Sequence, residues 1–254
     1  MSMPALLMGF GIYLKYLQKM KWMCGLIYEL IDNYIYEANR KILGNKMVKK
    51  TTTSGLNIFI RPETADEYEE VNELIYKAFT ESHGIDTGAF MTEHIKEERK
   101  KDTFIPELSL VALLENEKIV GQVTLHKTDI ITDSGKNTQL TLSQSAVLPE
   151  YRMRGIMREM VIYVLSKAKE MGYAAVFLGG NPALYGRFGF EPSYKYGIYH
   201  ENRVKWGDEG FLVCKLILGA LDGITGTTSY YGGRIQLNKH FLGFIIKQEL
   251  TRPF

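Results

Sequence analysis

The stretch from Leu140 to Phe190 constrains this chain more than any other. An apolar strand ends in Val147-Leu148-Pro149-Glu150-Tyr151 and runs into a basic loop, Arg152-Met153-Arg154-Gly155-Ile156-Met157. A long helical pattern follows, then an apolar run, then Asn181-Pro182-Ala183-Leu184-Tyr185-Gly186-Arg187-Phe188-Gly189-Phe190. A strand that enters a short glycine loop and leaves it as a helix builds an anion site. Loop amides and the helix N-terminus point at one spot, the helix dipole favours negative charge there, and arginines add full charges. One candidate for that spot is the pyrophosphate of a nucleotide-type cofactor. Alone, Arg152, Arg154 and Arg158 would read as a solvated helix start. With Gly155 and the flanking strand and helix, phosphate binding becomes the better reading.

The rest of the chain supplies a frame for that segment. Leu56 to Arg61 reads as a strand closed by Pro62, and Thr64-Ala65-Asp66-Glu67 as a capping box that opens a helix to about Phe79. Ser82 to Thr87 reads as a loop and Phe90 to Lys100 as a second helix. Leu108 to Glu115 and Lys118 to Thr128 are strands joined by a turn at Glu115-Asn116-Glu117, and Leu140 to Val147 is a further strand. Ile156 to Met171 is helical with Gly172 as its cap, and Ala174 to Leu178 is a buried strand. Pro182 to Phe188 is a short helix, and Gly210 to Leu218 a last strand. Alternating strands and helices, closed by strands, predict a mixed sheet with helices on both faces.

Residues 1–54 read as a helical extension and linker: apolar positions recur at helical spacing from Tyr16 to Ile35, Gly44-Asn45 is a stop, and Thr51 to Gly55 is a linker. The most apolar part, Ala5 to Leu14, is broken by Lys15 and is shorter than the roughly 20 residues a membrane span needs. Residues 55–222 form the main domain, and residues 223–254 a tail of glycine-rich turns and an apolar patch, Phe241 to Ile246. Met47 precedes the first domain strand closely enough to be an alternative start.

Arg152, Gly155 and position 157 resemble the Arg/Gln-x-x-Gly-x-Gly/Ala signature of the GNAT acetyltransferase superfamily, and Leu184 to Phe190 resembles its second landmark. Met157 stands where the signature has Gly or Ala, so its amide alone would face the phosphate. The resemblance spans roughly Asn57 to Asp222 and implies an α/β fold with a mixed, mostly antiparallel central sheet. It implies acetyl-CoA as co-substrate and an amine, on a small molecule or a peptide, as acceptor. Ala146, Val147 and Leu148 would hydrogen-bond the pantetheine arm and present an amide to the thioester oxygen. Arg152, Met153, Arg154, Gly155, Ile156 and Met157 would hold the pyrophosphate, with Asn181 also at the cofactor. Tyr185 would protonate the leaving thiolate; a phenol of pKa about 10 is nearly matched to an alkyl thiol. The alternative is a non-catalytic acyl-CoA-binding or sensing module on the same fold.

The acceptor amine must lose a proton before it attacks. Glu81, His83 and Asp86 border the acceptor side by the same resemblance, and Ser143 and Gln144 could supply polar groups from the central strand. His126 and His200 read as isolated, and Tyr194, Tyr196, Tyr199 and Trp206 as packing aromatics. Neither Cys24 nor Cys214 lies near the motifs in sequence, which favours direct attack in a ternary complex over an acyl-enzyme. Two lone cysteines suit a reducing cytoplasm, and the five histidines never fall at metal-ligand spacing, so no metal is expected. A net charge of +2 without a basic cluster argues against nucleic acid. A homodimer, or a membrane-surface contact through the N-terminal helix, stays open.

Overall fold

A computed structural model describes residues 47–201 and 203–228, the side chains of 203–206 excepted. The expectations for the helical extension and for the patch at Phe241 to Ile246 lie outside the described residues. The strands are β1 (Val48–Thr51), β2 (Asn57–Pro62), β3 (Phe104–Leu113), β4 (Ile119–Thr132), β5 (Gly135–Val147), β6 (Ala175–Gly179), β7 (Glu191–Pro192), β8 (Ile198–His200), β9 (Phe211–Lys215) and β10 (Gly226–Thr228). The helices are α1 (Tyr68–His83), α2 (Ile85–Glu98), α3 (Ile156–Glu170), α4 (Pro182–Tyr185) and α5 (Arg203–Gly210). One mixed sheet runs β1-β2-β3-β4-β5-β6-β9-β7, with β10 against β4 and β8. Among the described residues only β5–β6 and β8–β10 pair in parallel.

The segment Thr51 to Gly55 is a hairpin turn between paired strands rather than a linker. Gly55 N donates to Thr52 O at 2.9 Å, and the left-handed φ of Gly55, 80°, closes the turn. Among the described residues the sheet therefore includes Val48–Thr51, which precede the boundary expected at residue 55. It also takes in Gly226–Thr228 of the expected tail. The loop expected at Ser82 to Thr87 shrinks to one residue. Gly84, at φ 91° and ψ 164°, breaks the helix, and α2 restarts at once. Glu81 and His83 therefore sit in the last turn of α1 and Asp86 in the first turn of α2.

Strand β4 lies at the centre, buried without a gap from Ile119 to His126, because helices cover both faces. On one face, a Cβ added to Gly121 would stand 2.8 Å from Met160 Sδ of α3. Buried Ile156, Met160, Val161, Val164, Leu165 and Ala168 form the stripe by which α3 seats there. On the other face, alternation points Gln122, Thr124 and His126 toward α1 and α2. A buried polar network fixes those helices. Arg99, which caps α2, pairs with Glu63 at 2.7 Å and donates to Asn72 Oδ1 of α1 at 2.8 Å. Ser109 donates to Glu63 at 2.6 Å and meets Thr124 at 2.8 Å. Every charge in that network has a partner, the condition on which a charge is tolerated inside. Glu67 accepts from the Thr64 amide at 2.9 Å, which is its half of the expected capping box.

Candidate active site

The sheet parts where the two motifs meet. Parallel pairing of β5 with β6 is confined to Leu140↔Val176 and Thr141↔Phe177, whereas β5 stays paired with β4 as far as Val147. Beyond Thr141 the β6 side of β5 has no strand partner among the described residues. Strands β5 and β6 thus diverge beside Leu142 to Val147, and this gap in the sheet's pairing is the candidate cleft. In the same stretch the β4–β5 register passes from Thr124↔Gln144 to Leu125↔Leu142, which makes Ser143 the extra residue of a β-bulge. Bulges re-aim side chains. Here Ser143 and Gln144, neighbours in sequence, both reach α2. The Ser143 hydroxyl lies 3.2 Å from His94 Nε2, and Gln144 donates to Met91 O at 2.7 Å.

The loop after β5 is shaped by two left-handed residues, Met153 (φ 60°) and Gly155 (φ 84°). The first backbone bond of α3 runs from Glu159 N to Gly155 O, so the amides of Ile156, Met157 and Arg158 lie ahead of the helix ladder. The β1–β2 hairpin braces the loop from outside. Ser54 donates to Arg154 O at 2.9 Å, and a Cβ on Gly155 would come within 2.5 Å of Thr53 Oγ1. Arg152 is committed elsewhere in the fold. It donates to Ala78 O at 2.7 Å, to Glu81 at 3.2 Å and to Val147 O at 3.4 Å, tying the end of α1 to the end of β5. Arg154 is exposed and lies 5.3 Å from the centre of the Tyr151 ring. Met153 is fully exposed, while the Met157 side chain packs against the core. Ala146, Val147 and Leu148 are buried at the end of the cleft.

The second motif closes the far side. Asn181 caps α4, accepting from Ala183 N at 2.9 Å, and Pro182 takes the first position. The Tyr185 ring then folds over Gly180, where a Cβ would meet Cε2 at 2.7 Å, and packs edge-on against Phe190 with ring centres 5.9 Å apart. Ser145 of β5 faces its hydroxyl across the cleft. Burial pushes the phenol above its ordinary range, and the Ser145 side chain offsets part of the rise. Tyr185 is therefore a neutral donor at physiological pH.

Several expectations change on this geometry. Cys214 sits against the second motif, with Sγ 3.6 Å from Phe188 O. Burial pushes its thiol up to about 11, with the nearby Glu191 adding to the rise, so it carries almost no thiolate. His126 is not isolated: its Nδ1 lies 3.1 Å from Glu98, which also faces His94. Sequence spacing could have flagged His94 and Glu98, one helical turn apart on α2, but not their partner from β4. Tyr194 donates to Glu209 at 2.9 Å and Tyr196 to Glu191 at 2.6 Å, so both hydroxyls are engaged. Among the described residues, no cluster of three His, Cys, Asp or Glu is arranged to hold a metal. Among them, too, no helix is long and apolar enough to cross a membrane.

The family model described as an acetyltransferase (GNAT) domain matches residues 59–193, more than half of the chain. The chain belongs to the GNAT acetyltransferase family. Over 135 residues it is 35% identical to an uncharacterised N-acetyltransferase of Escherichia coli K12, YhbS, covering 52% of this chain and 76% of that protein. The crystal structure of E. coli YhbS in complex with CoA superimposes with a TM-score of 0.59 at 29% identity, over 69% of this chain and 90% of that one. A GNAT acetyltransferase from Brucella melitensis in complex with acetyl-CoA aligns with a TM-score of 0.54 over 69% of this chain and 96% of that one. At 20% identity that second likeness is one of fold.

Proposed function

We propose that this chain moves an acetyl group from acetyl-CoA to an amine acceptor by direct attack within a ternary complex. The observation that carries this reading is the parting of β5 from β6, with the glycine loop at one end and the Tyr185 hydroxyl facing Ser145. The CoA complex of YhbS supports the same reading for a relative that is alike in sequence and fold.

In this reading the Ala146–Leu148 edge, unpaired on its β6 side, offers backbone groups to the pantetheine amides and to the thioester oxygen. Amides from Gly155 to Met157 hold the pyrophosphate, and Arg154 adds an exposed positive charge. Arg152 acts indirectly, because its contacts orient the loop. Tyr185 donates a hydrogen bond to the sulfur as charge develops there. Its raised pKa keeps the donor proton in place at the cost of a less favourable full transfer. Cys214 is too weak an acid to serve as an acyl carrier, which favours direct attack. Met157, the departure from the family signature, turns its side chain into the core and leaves its amide for the ligand, so it does not favour a non-catalytic module.

The test is a CoA titration by calorimetry alongside a screen of amine acceptors with acetyl-CoA, read by thiol release, on wild type and Tyr185→Phe. We expect wild type to bind CoA and turn over. The variant should keep CoA affinity while kcat falls about 10²–10⁴-fold, the usual size of a general-acid contribution. Wild-type turnover by Tyr185→Phe would return Tyr185 to a packing role.

A further inference from the structure

A buried ionisable cluster beside the cleft is not used by the transfer chemistry above. Glu98, on the last turn of α2, is 2% exposed at its side chain. His126 Nδ1 of β4 lies 3.1 Å from Glu98 Oε2, and Lys101 Nζ lies 2.5 Å from Oε1. His94, one turn earlier on α2, places Nε2 4.0 Å from Glu98 Oε1 and 3.2 Å from the Ser143 hydroxyl. Ser143 is the bulge residue of β5, two positions from Ser145 and its partner Tyr185, roughly 7 Å along the strand. On its far side the cluster opens to solvent. Glu98 and His126 lie at the wall of a groove of about 550 Å³ whose rim carries Asp102, Lys127, Asp129 and Lys136. Stability alone does not account for such a set, since apolar packing commonly does as well as buried charge.

We propose that Ser143 and His94 form the proton outlet for the acceptor ammonium, with Glu98, itself paired with Lys101 and His126, as the residue whose charge faces His94. This rests on the acetyltransferase reading. The step balances. An N–H bond of the ammonium breaks and its proton joins Ser143 Oγ, while the Ser143 hydroxyl proton passes to His94 Nε2. The nitrogen lone pair so freed attacks the thioester carbon. The imidazolium left behind faces Glu98, which lines the groove, and passage of the proton by way of Glu98 to water there resets it. An imidazole suits the task because its ordinary pKa lies near neutrality, between ammonium and water.

The experiment measures kcat/KM against pH for wild type, Ser143→Ala and His94→Gln. It uses an alkylamine of pKa about 10.4 and a weakly basic aromatic amine, with CoA affinity and melting recorded in parallel. Both variants should keep CoA affinity. With the alkylamine at neutral pH, His94→Gln should lose about 10²–10⁴-fold. The loss should shrink toward alkaline pH and with the weakly basic amine, because neither condition needs a proton acceptor. Glu98→Gln should move the acid limb to lower pH, since a neutral amide no longer favours the imidazolium. The outlet is overturned if Ser143→Ala and His94→Gln keep the wild-type profile, or lose activity equally with both amines at every pH. Should His94→Gln fail to fold, Ser143→Ala, which removes one oxygen, decides by the same comparison. A wild-type chain that does not bind CoA, or binds it and acetylates no amine, overturns the acetyltransferase reading and the outlet with it. Turnover with unchanged pH profiles overturns the outlet alone.

Discussion

Replacing Gly155 by alanine asks how much the anion loop depends on its brace. Two penalties apply. Gly155 sits at φ 84° and ψ 2°, a left-handed conformation that disfavours a Cβ by about 1–2 kcal/mol. The new Cβ would also stand 2.5 Å from Thr53 Oγ1, 3.1 Å from Thr53 N and 3.4 Å from Thr52 Cβ. A hydroxyl can rotate away, but a backbone nitrogen in a hairpin cannot, so the β1–β2 turn must shift. Forced overpacking of this kind costs about 1–3 kcal/mol. Together the terms predict a loss of roughly 2–5 kcal/mol, or a fall in melting temperature of roughly 4–20 °C for a protein of this size. Thr53→Ala should restore part of it when combined with Gly155→Ala, with a coupling of about 0.5–3 kcal/mol in a double-mutant cycle. CoA affinity should fall in step, because the amides after Gly155 move with the loop. Thermal melts and CoA calorimetry on the four proteins provide the check. A Gly155→Ala chain that melts with wild type and binds CoA equally well would show that the brace does not set the loop.

The two arginines of the loop should separate by mechanism. Arg152→Ala should lower the melting temperature as well as CoA affinity, since it removes bonds to Ala78 O, Glu81 and Val147 O. Arg154→Ala, at an exposed position, should weaken CoA with the melt unchanged, and equal melts for both variants would contradict this division. In a Cys24→Ser background, Cys214 should resist a thiol reagent from pH 7 to 8 and react fully on denaturation, because its thiol is pushed up to about 11. Its thiolate, and so its labelling rate, should rise as pH climbs toward that value. Rapid labelling of the native chain at neutral pH would refute the burial argument. A chain beginning at Met47 keeps β1 whole, so it should melt and bind CoA like the full chain. A lower melt would show that the preceding residues pack on the sheet.

What could be read from the sequence was whatever a residue encodes within a few positions of itself. Gly155, Gly172 and Gly189 all adopt the left-handed φ that their place after a loop or helix suggests. Thr64 with Glu67, Pro182 after Asn181, and the stripe from Ile156 to Ala168 likewise declare themselves locally. What escaped depends on partners far along the chain. Thr51 to Gly55 looks like a linker until Val48↔Ile60 and Thr51↔Asn57 are seen to pair. Gly135 to Gln139 extend β5 although they are polar, because the hairpin with β4 supplies their partners. Cys214 comes to lie under Phe188 because β9 pairs with both β6 and β7. The cluster about Glu98 has the same origin, with one helix, the central strand β4 and the bulge of β5 each contributing a member. Motif reading can propose groups for a cofactor because a phosphate is gripped by consecutive amides. The groups proposed to take a proton from the acceptor are spread over three elements, since a relay needs only neighbours in space. Strand β5 is where the two meet: its end feeds the glycine loop, Ser145 meets Tyr185, and the bulge at Ser143 turns one hydroxyl toward His94.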